Sequence, residues 1–309
     1  MRNRVAIIAL SLTAPLHAAP SAPFTINETG AGYYRLDDAV RAIGEGDGTI
    51  TVAPGTYADC AVQSAGNITY RAAVAGRAVF SGGICEGKAA LVLRGLSARV
   101  EGLVFENMRV PDGNGAGIRL EKGNLAVSNA MFRNSEQGIL SAPDPTSNVI
   151  IDRSTFSGLG RCDRGLSCAH SIYIGDYGSL TVTRSRFERG TGGHYVKSNS
   201  GRVEISDSSF DDTQGRTTNY MIDLPSGAIG TITRNVFVQG KDKENYSAFI
   251  AVAAEARTHR SAGLVVANND ASIAPGISRN TIFVADWSHE PLRLGTNRLG
   301  VGLKAFETR

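Results

Sequence analysis

SLTVTRSRF at residues 179–187, GRVEISDSSF at 201–210 and GTITRNVF at 230–237 share one layout: apolar and polar residues alternate, polar turn residues follow, and a phenylalanine closes the run. Alternation with period two is a strand signal, and the polar residues before the aromatic mark a corner. Six copies occur, each a β-branched residue followed five positions later by phenylalanine: Val100/Phe105, Val127/Phe132, Ile151/Phe156, Val182/Phe187, Ile205/Phe210 and Ile232/Phe237. Successive phenylalanines lie 27, 24, 31, 23 and 27 residues apart, which predicts one structural coil per copy with loops of variable length. Further short apolar runs sit between the copies, at 117–120 (GIRL), 138–140 (GIL), 171–174 (SIYI), 195–197 (YVK) and 221–224 (MIDL). Each coil therefore holds at least two strands.

A repeat of roughly 22 to 30 residues with strands and no helical period predicts a parallel β-solenoid, in which each coil buries its apolar face on its neighbours. A leucine-rich repeat is excluded, because its L-x-x-L-x-L-x-x-N pattern is absent and no copy has room for a helix. Upstream, YYRLDDAVRAIGEGDGTITVAPGTYADC at 33–60 places Leu36, Ala39, Val40 and Ile43 on one helical face, followed by a strand and a Pro-Gly-Thr-Tyr turn. Such a helix would cover the open end of a solenoid. With this N-terminal stretch the chain resembles the right-handed parallel β-helix family typified by pectate lyases and related polysaccharide-acting proteins, over about residues 25–290. The expected fold is all-β, a right-handed parallel β-helix solenoid with a short N-terminal capping helix. The cap falls at about 25–50, the coils at about 50–290 and a C-terminal tail at 291–309.

The composition agrees with a turn-rich globular chain: 42% hydrophobic, 20% charged, and 36 glycines against 10 prolines in 309 residues exclude disorder and collagen. MRNRVAIIALSLTAPLHAAP at the start has two arginines, an apolar run from Val5 to Leu12 and then small residues, the layout of a secretory signal peptide over residues 1–19. That run is too short for a membrane span, so the expectation is an exported protein, periplasmic or secreted, with no membrane span. Removing Arg2 and Arg4 brings 32 basic residues to 30 against 29 acidic ones, which leaves no charge argument for nucleic acid. Cys60, Cys85, Cys162 and Cys168 fit an oxidising compartment, with Cys60–Cys85 and Cys162–Cys168 favoured among three pairings. Cys-x5-Cys without a second close pair is poor zinc spacing.

Stacked coils about 4.8 Å apart allow side-chain columns to be read by aligning rungs. With Ile118, Ile139, Ile172, Val196, Ile222 and Ile250 as inward anchors, the following residues face outward: Arg119, Leu140, Tyr173, Lys197, Asp223 and Ala251. Two positions before the anchors stand Ala116, Gln137, His170, His194, Tyr220 and Ala248. The chemically capable residues thus gather on three consecutive coils, and both columns fade to Ala or Leu outside them. The same residues have a purely structural reading, with His and Tyr hydrogen-bonded to corner backbone and Lys197 beside Asp223 as a solvated ion pair.

The resemblance implies cleavage of a uronic-acid-containing polysaccharide by β-elimination, which needs a group to neutralise the uronate, a base for the C5 proton and an acid for the leaving oxygen. Lys197 resembles the lysine that serves as base in several β-helix lyases. Asp223 beside it would hold it protonated, which suits a uronate clamp and passes proton abstraction to His194 or His170, with Tyr173 or Tyr220 as acid. Arg119, Arg164 and Arg216 are candidate contacts to acidic sugars, and Tyr173, Tyr177 and Tyr220 candidate stacking platforms. A monomer with no resident cofactor is expected. Ca²⁺ is the alternative, drawing on Asp176, Asp211, Asp212 and Asp223. A C5 epimerase, a glycoside hydrolase and a non-catalytic glycan-binding protein stand as alternatives, the hydrolase lacking a second carboxylate in register.

Overall fold

The computed structural model describes residues 22–309, so the signal peptide expected at 1–19 lies outside the described residues. From Asp47 onward the chain winds through three sheets in fixed order, as in the coil Arg202–Ser206, Ser209–Asp211, Ile222–Leu224. These strands belong to a first sheet of 12 strands and to second and third sheets of 10 strands each. Successive coils pair parallel and in register, as in Val182↔Ile205, Phe187↔Phe210 and Val196↔Ile222. Among the described strands only Phe24–Ile26 runs antiparallel to its neighbours, Gly32–Tyr33 and Asp47–Val52.

The six phenylalanines form one interior column, which Phe80 extends by a rung. From Phe132 to Phe237 the ring centroids are 4.8–4.9 Å apart and the planes within 12° of parallel. The spacing is that of the strands themselves, so backbone pairing and ring stacking demand the same geometry. The anchors Ile118, Ile139, Ile172, Val196, Ile222 and Ile250 line the opposite wall of the same core, fully buried.

The corner between the first and second sheets explains the polar residues before each phenylalanine. Asn129, Arg153, Arg184, Asp207, Arg234 and Asn268 each adopt a left-handed φ of 46–57° there. The next residue carries a hydrogen-bonding side chain in most coils. The backbone N–H of Ala130, Ser154, Ser185, Ser208, Asn235 and Asn269 donates to the side-chain oxygen of Ser154, Ser185, Ser208, Asn235, Asn269 and Asn297, respectively. This buried ladder satisfies donors that a tight corner would otherwise strand, offsetting the roughly 1–2 kcal/mol of a left-handed non-glycine residue.

Helix α1, Leu36–Ile43, closes the N-terminal end with Leu36, Ala39 and Val40 buried, as its apolar spacing predicts. Asp59 Oδ2 accepts from Leu36 N–H and Asp37 Oδ1 accepts from Val62 N–H, which tie the helix to the first coil. The disulfides are Cys60–Cys85 and Cys162–Cys168. No described helix is long and apolar enough to cross a membrane.

Two expectations require correction. Residues 291–309 are not a tail: Arg293–Leu294, Arg298–Leu299 and Leu303–Thr308 add a last strand to each sheet. Tyr177 is not a sugar platform, because its ring is fully buried in the core. Pairing with the preceding coil shifts register between Asp144 and Asn148, and Tyr177 enters the interior at that irregularity.

Candidate active site

The third sheet turns outward the column predicted for it, with Arg119↔Leu140, Leu140↔Tyr173, Tyr173↔Lys197, Lys197↔Asp223 and Asp223↔Ala251 as direct partners. His170 and His194 also stack, with ring centroids 4.9 Å apart, and Tyr220 continues the stack 5.6 Å from His194. Tyr173 meets the His170 ring edge-on at 5.4 Å, and Lys197 Nζ stands 5.7 Å from the centre of the Tyr173 ring. His170, His194, Tyr173, Tyr220, Lys197 and Asp223 therefore make one cluster.

The chain reaches this geometry through Gly192 and Gly193, with φ of 150° and 61°. A Cβ on Gly193 would lie 2.1 Å from Ala169 O and 2.6 Å from His170 Nδ1, so only glycine lets the two coils approach. The approach lets His194 N–H donate to His170 Nδ1 at 3.0 Å. His170 Nδ1 is then an acceptor, with His194 Nδ1 3.2 Å away. On its other side His194 Nε2 lies 3.6 Å from Asp223 Oδ2.

Charge in the cluster is set by burial. Desolvation lowers His170 to about 3 and His194 well below its ordinary value, with Lys197 adding to both shifts and His170 to the second. Burial also pulls Lys197 down, but Asp223 and then Glu255 outweigh it and its net shift is upward. Asp223 is pushed up to about 6, chiefly by burial, with Lys197 opposing only in part. At neutral pH the cluster thus holds one ammonium, two uncharged imidazoles and a mostly ionised carboxylate whose Oδ1 is buried without a hydrogen-bond partner.

Glu255 was not legible in the sequence. A strap at 253–263 leaves the third sheet, is fixed by Glu255 N–H and Ala256 N–H to Pro225 O and by His259 N–H to Ser226 O, and turns back over earlier coils. It brings Glu255 Oε1 to 2.5 Å from Lys197 Nζ, while Asp223 Oδ2 is 3.4 Å from the same atom. Further along, His259 Nε2 lies 3.0 Å from Asp176 Oδ1. Beside the strap is a groove of about 610 Å³, lined by Arg119, Tyr173, Asp176, Asn199, His259 and, from the disulfide loop, Cys168 among others. Trp287 and Tyr220 pack against a small cluster of Ala248, Ile282 and Ala285.

The remaining candidates lie elsewhere. Arg164 is bound to Glu136 at 2.7 Å, and Arg216 lines a separate cleft at the corner between the second and third sheets. The carboxylates considered for Ca²⁺ do not converge: Asp212 is buried against Lys243 and Tyr195, Asp176 faces His259, and Asp223 faces Lys197. Among the described residues no group of three or more His, Cys, Asp or Glu is placed to hold a metal ion, so this donor set does not fit the cation.

Solved structures that resemble the chain include two from different sources. One, from Geobacillus virus E2 (ORF18), is 15% identical with a TM-score of 0.47 over 88% of this chain and 57% of its own. The other, a mutant of a PL6 family alginate lyase, is 14% identical with a TM-score of 0.45 over 89% of this chain and 38% of its own. The chain thus spans well under two thirds of either. No curated protein matches it. The family model described as "Right handed beta helix region" matches residues 117–289, which hold the strands that carry the cluster. With more than half of its length matched, and with coils of three parallel sheets around one core, the chain belongs to the right-handed β-helix family.

Proposed function

We propose that the protein is an exported polysaccharide lyase that cleaves a uronic-acid-containing polysaccharide by β-elimination on the outer face of the third sheet. The observation that carries this reading is the buried Lys197 ammonium set among two uncharged imidazoles and two partly exposed tyrosines on consecutive coils. Lys197 clamps the uronate carboxylate, and Glu255 marks the position such a carboxylate would take. Neutralising that carboxylate acidifies C5–H. His194 Nε2 takes the proton, and the resulting imidazolium lies beside Asp223. Tyr173, on the groove, donates to the departing glycosidic oxygen as the C4–O bond breaks and a C4–C5 double bond forms. Two disulfides support an oxidising destination.

One observation favours a second reading, glycoside hydrolysis. Asp223 and Glu255 flank one ammonium, which keeps their nearer oxygens within about 6 Å of each other, close to the separation of retaining glycosidases. Asp223, with its raised pKa, would be the acid. Incubation with a panel of uronate polysaccharides separates the readings. Ultraviolet absorbance from the unsaturated product, lost in Lys197→Ala, supports the lyase. New reducing ends without absorbance support the hydrolase, and C5 proton exchange without cleavage an epimerase. Silence in all three assays overturns the enzyme reading.

A further inference from the structure

The corner cleft that holds Arg216 has a volume of about 780 Å³ and is lined by residues of five successive connections between the second and third sheets. Asn107, Asn134, Gly158 and Arg189 directly follow their second-sheet strands and share left-handed φ values of 61°, 52°, 64° and 56°. They therefore repeat at one position, and the rung of Gly158 lacks a side chain there. A Cβ on Gly158 would lie 2.9 Å from Asn134 Oδ1, so the glycine opens the floor between Asn134 and Arg189.

Arg109, Arg189 and Arg216 border this cleft, and none has a carboxylate partner among the described residues. Nearby arginines behave differently: Arg133 pairs with Glu106, Arg184 with Asp152, and Arg186 with Glu188. Asp163, the acidic residue on the lining, is taken by Arg161 at 2.5 Å. The cleft is left with three unneutralised guanidiniums. Arg189 and Arg216 sit on adjacent coils, about 4.8 Å apart along the axis, and Arg109 three coils before Arg189, about 14 Å away. Asn107, Asn134, Gln214 and Thr217 add uncharged hydrogen-bonding groups.

Planar guanidinium forks bind carboxylate and sulfate in bidentate fashion, and three of them spaced along one axis match a linear chain with regularly placed charges better than one compact anion. We propose that this cleft is a second binding site, separate from the Lys197 cluster, for a linear polysaccharide carrying carboxylate or sulfate groups. The disulfide loop contributes Arg161, Cys162 and Asp163 to it and Ser167 and Cys168 to the groove by Tyr173. The proposal does not rest on turnover, since no residue of the Lys197 cluster lines this cleft.

Calorimetric titration with a hexauronate tests it, in the wild type and in Lys197→Met. Both should bind, with affinity falling as salt rises. Arg189→Gln/Arg216→Gln should weaken binding in the Lys197→Met background by roughly tenfold or more. Arg202→Gln, which removes an exposed charge from the first sheet, should not. Loss of all binding in Lys197→Met, indifference to the double substitution, or equal binding of a neutral oligosaccharide or of sulfate alone would overturn the proposal. An absence of enzymatic product would leave this titration unaffected, so the two readings fail separately.

Discussion

Replacing Glu255 by glutamine removes the charge that rests on Lys197 and keeps the length and polar tip of the side chain. The contact is short, 2.5 Å, but unequal: the lysine side chain is 10% exposed and the glutamate 61%. An ion pair with one partner so open to water is worth about 0.5–1 kcal/mol. If Glu255 occupies the place of a substrate carboxylate, it competes for the ammonium, and its removal should lower KM about two- to fivefold with kcat nearly unchanged. Stability should fall by no more than the same amount, because Asp223 still faces Lys197 at 3.4 Å. Initial rates against substrate concentration, with denaturant unfolding alongside, measure both. A drop in kcat of about a hundredfold at constant KM would refute this reasoning and make Glu255 a participant in the transition state, as hydrolysis requires.

Lys197→Met should reduce turnover by about a hundredfold or more and cost roughly 3–5 kcal/mol of stability, since Asp223 is left buried without a cation; adding Asp223→Asn should recover stability but not rate. Phe156→Ala, between rings 4.9 Å away on either side, should destabilise by about 3–5 kcal/mol, read as a lowered denaturation midpoint. The His170 imidazole, held at about 3 in the folded chain against an unfolded value near 6.5, contributes stability that is complete above about pH 6.5 and drains away towards pH 3. Asp223, raised to about 6, acts in the opposite sense, as protonation between about pH 6 and 4 relieves the fold. The stability difference between wild type and His170→Gln isolates the imidazole, and should shrink by about 1.4 kcal/mol per pH unit on acidification from pH 6 to 4 in denaturant titrations.

Where side chains obey the rung period, the sequence was enough. The phenylalanine column, the isoleucine anchors and the outward run Tyr173, Lys197, Asp223 fall in the register that their spacing implies, because parallel pairing stacks equivalent positions. Legibility ended where the chain leaves that period. Glu255 meets a lysine 58 residues away through a strap with no repeat of its own. Tyr177 entered the core at a register shift that alternation cannot reveal. Arg293–Leu294 and Arg298–Leu299 are two-residue strands, too short to show any alternation, and so read as a tail. Gly158 gave no chemical signal, although the missing side chain shapes the arginine-lined cleft.

The last coil also bears on self-association. A solenoid end is a set of unpaired strand edges in register, the template from which fibrils grow. At the N-terminal end α1 lies over the core. At the C-terminal end two of the three edge strands are cut to two residues, and the longest, Leu303–Thr308, carries Lys304 and Glu307 paired with each other, with Arg309 beside Glu307. A second molecule docking there would have to desolvate those exposed ion pairs. Truncation before Arg293 would instead present the six-residue strand Thr281–Asp286, buried along its whole length while the last coil covers it, as a bare edge open to end-to-end polymerisation.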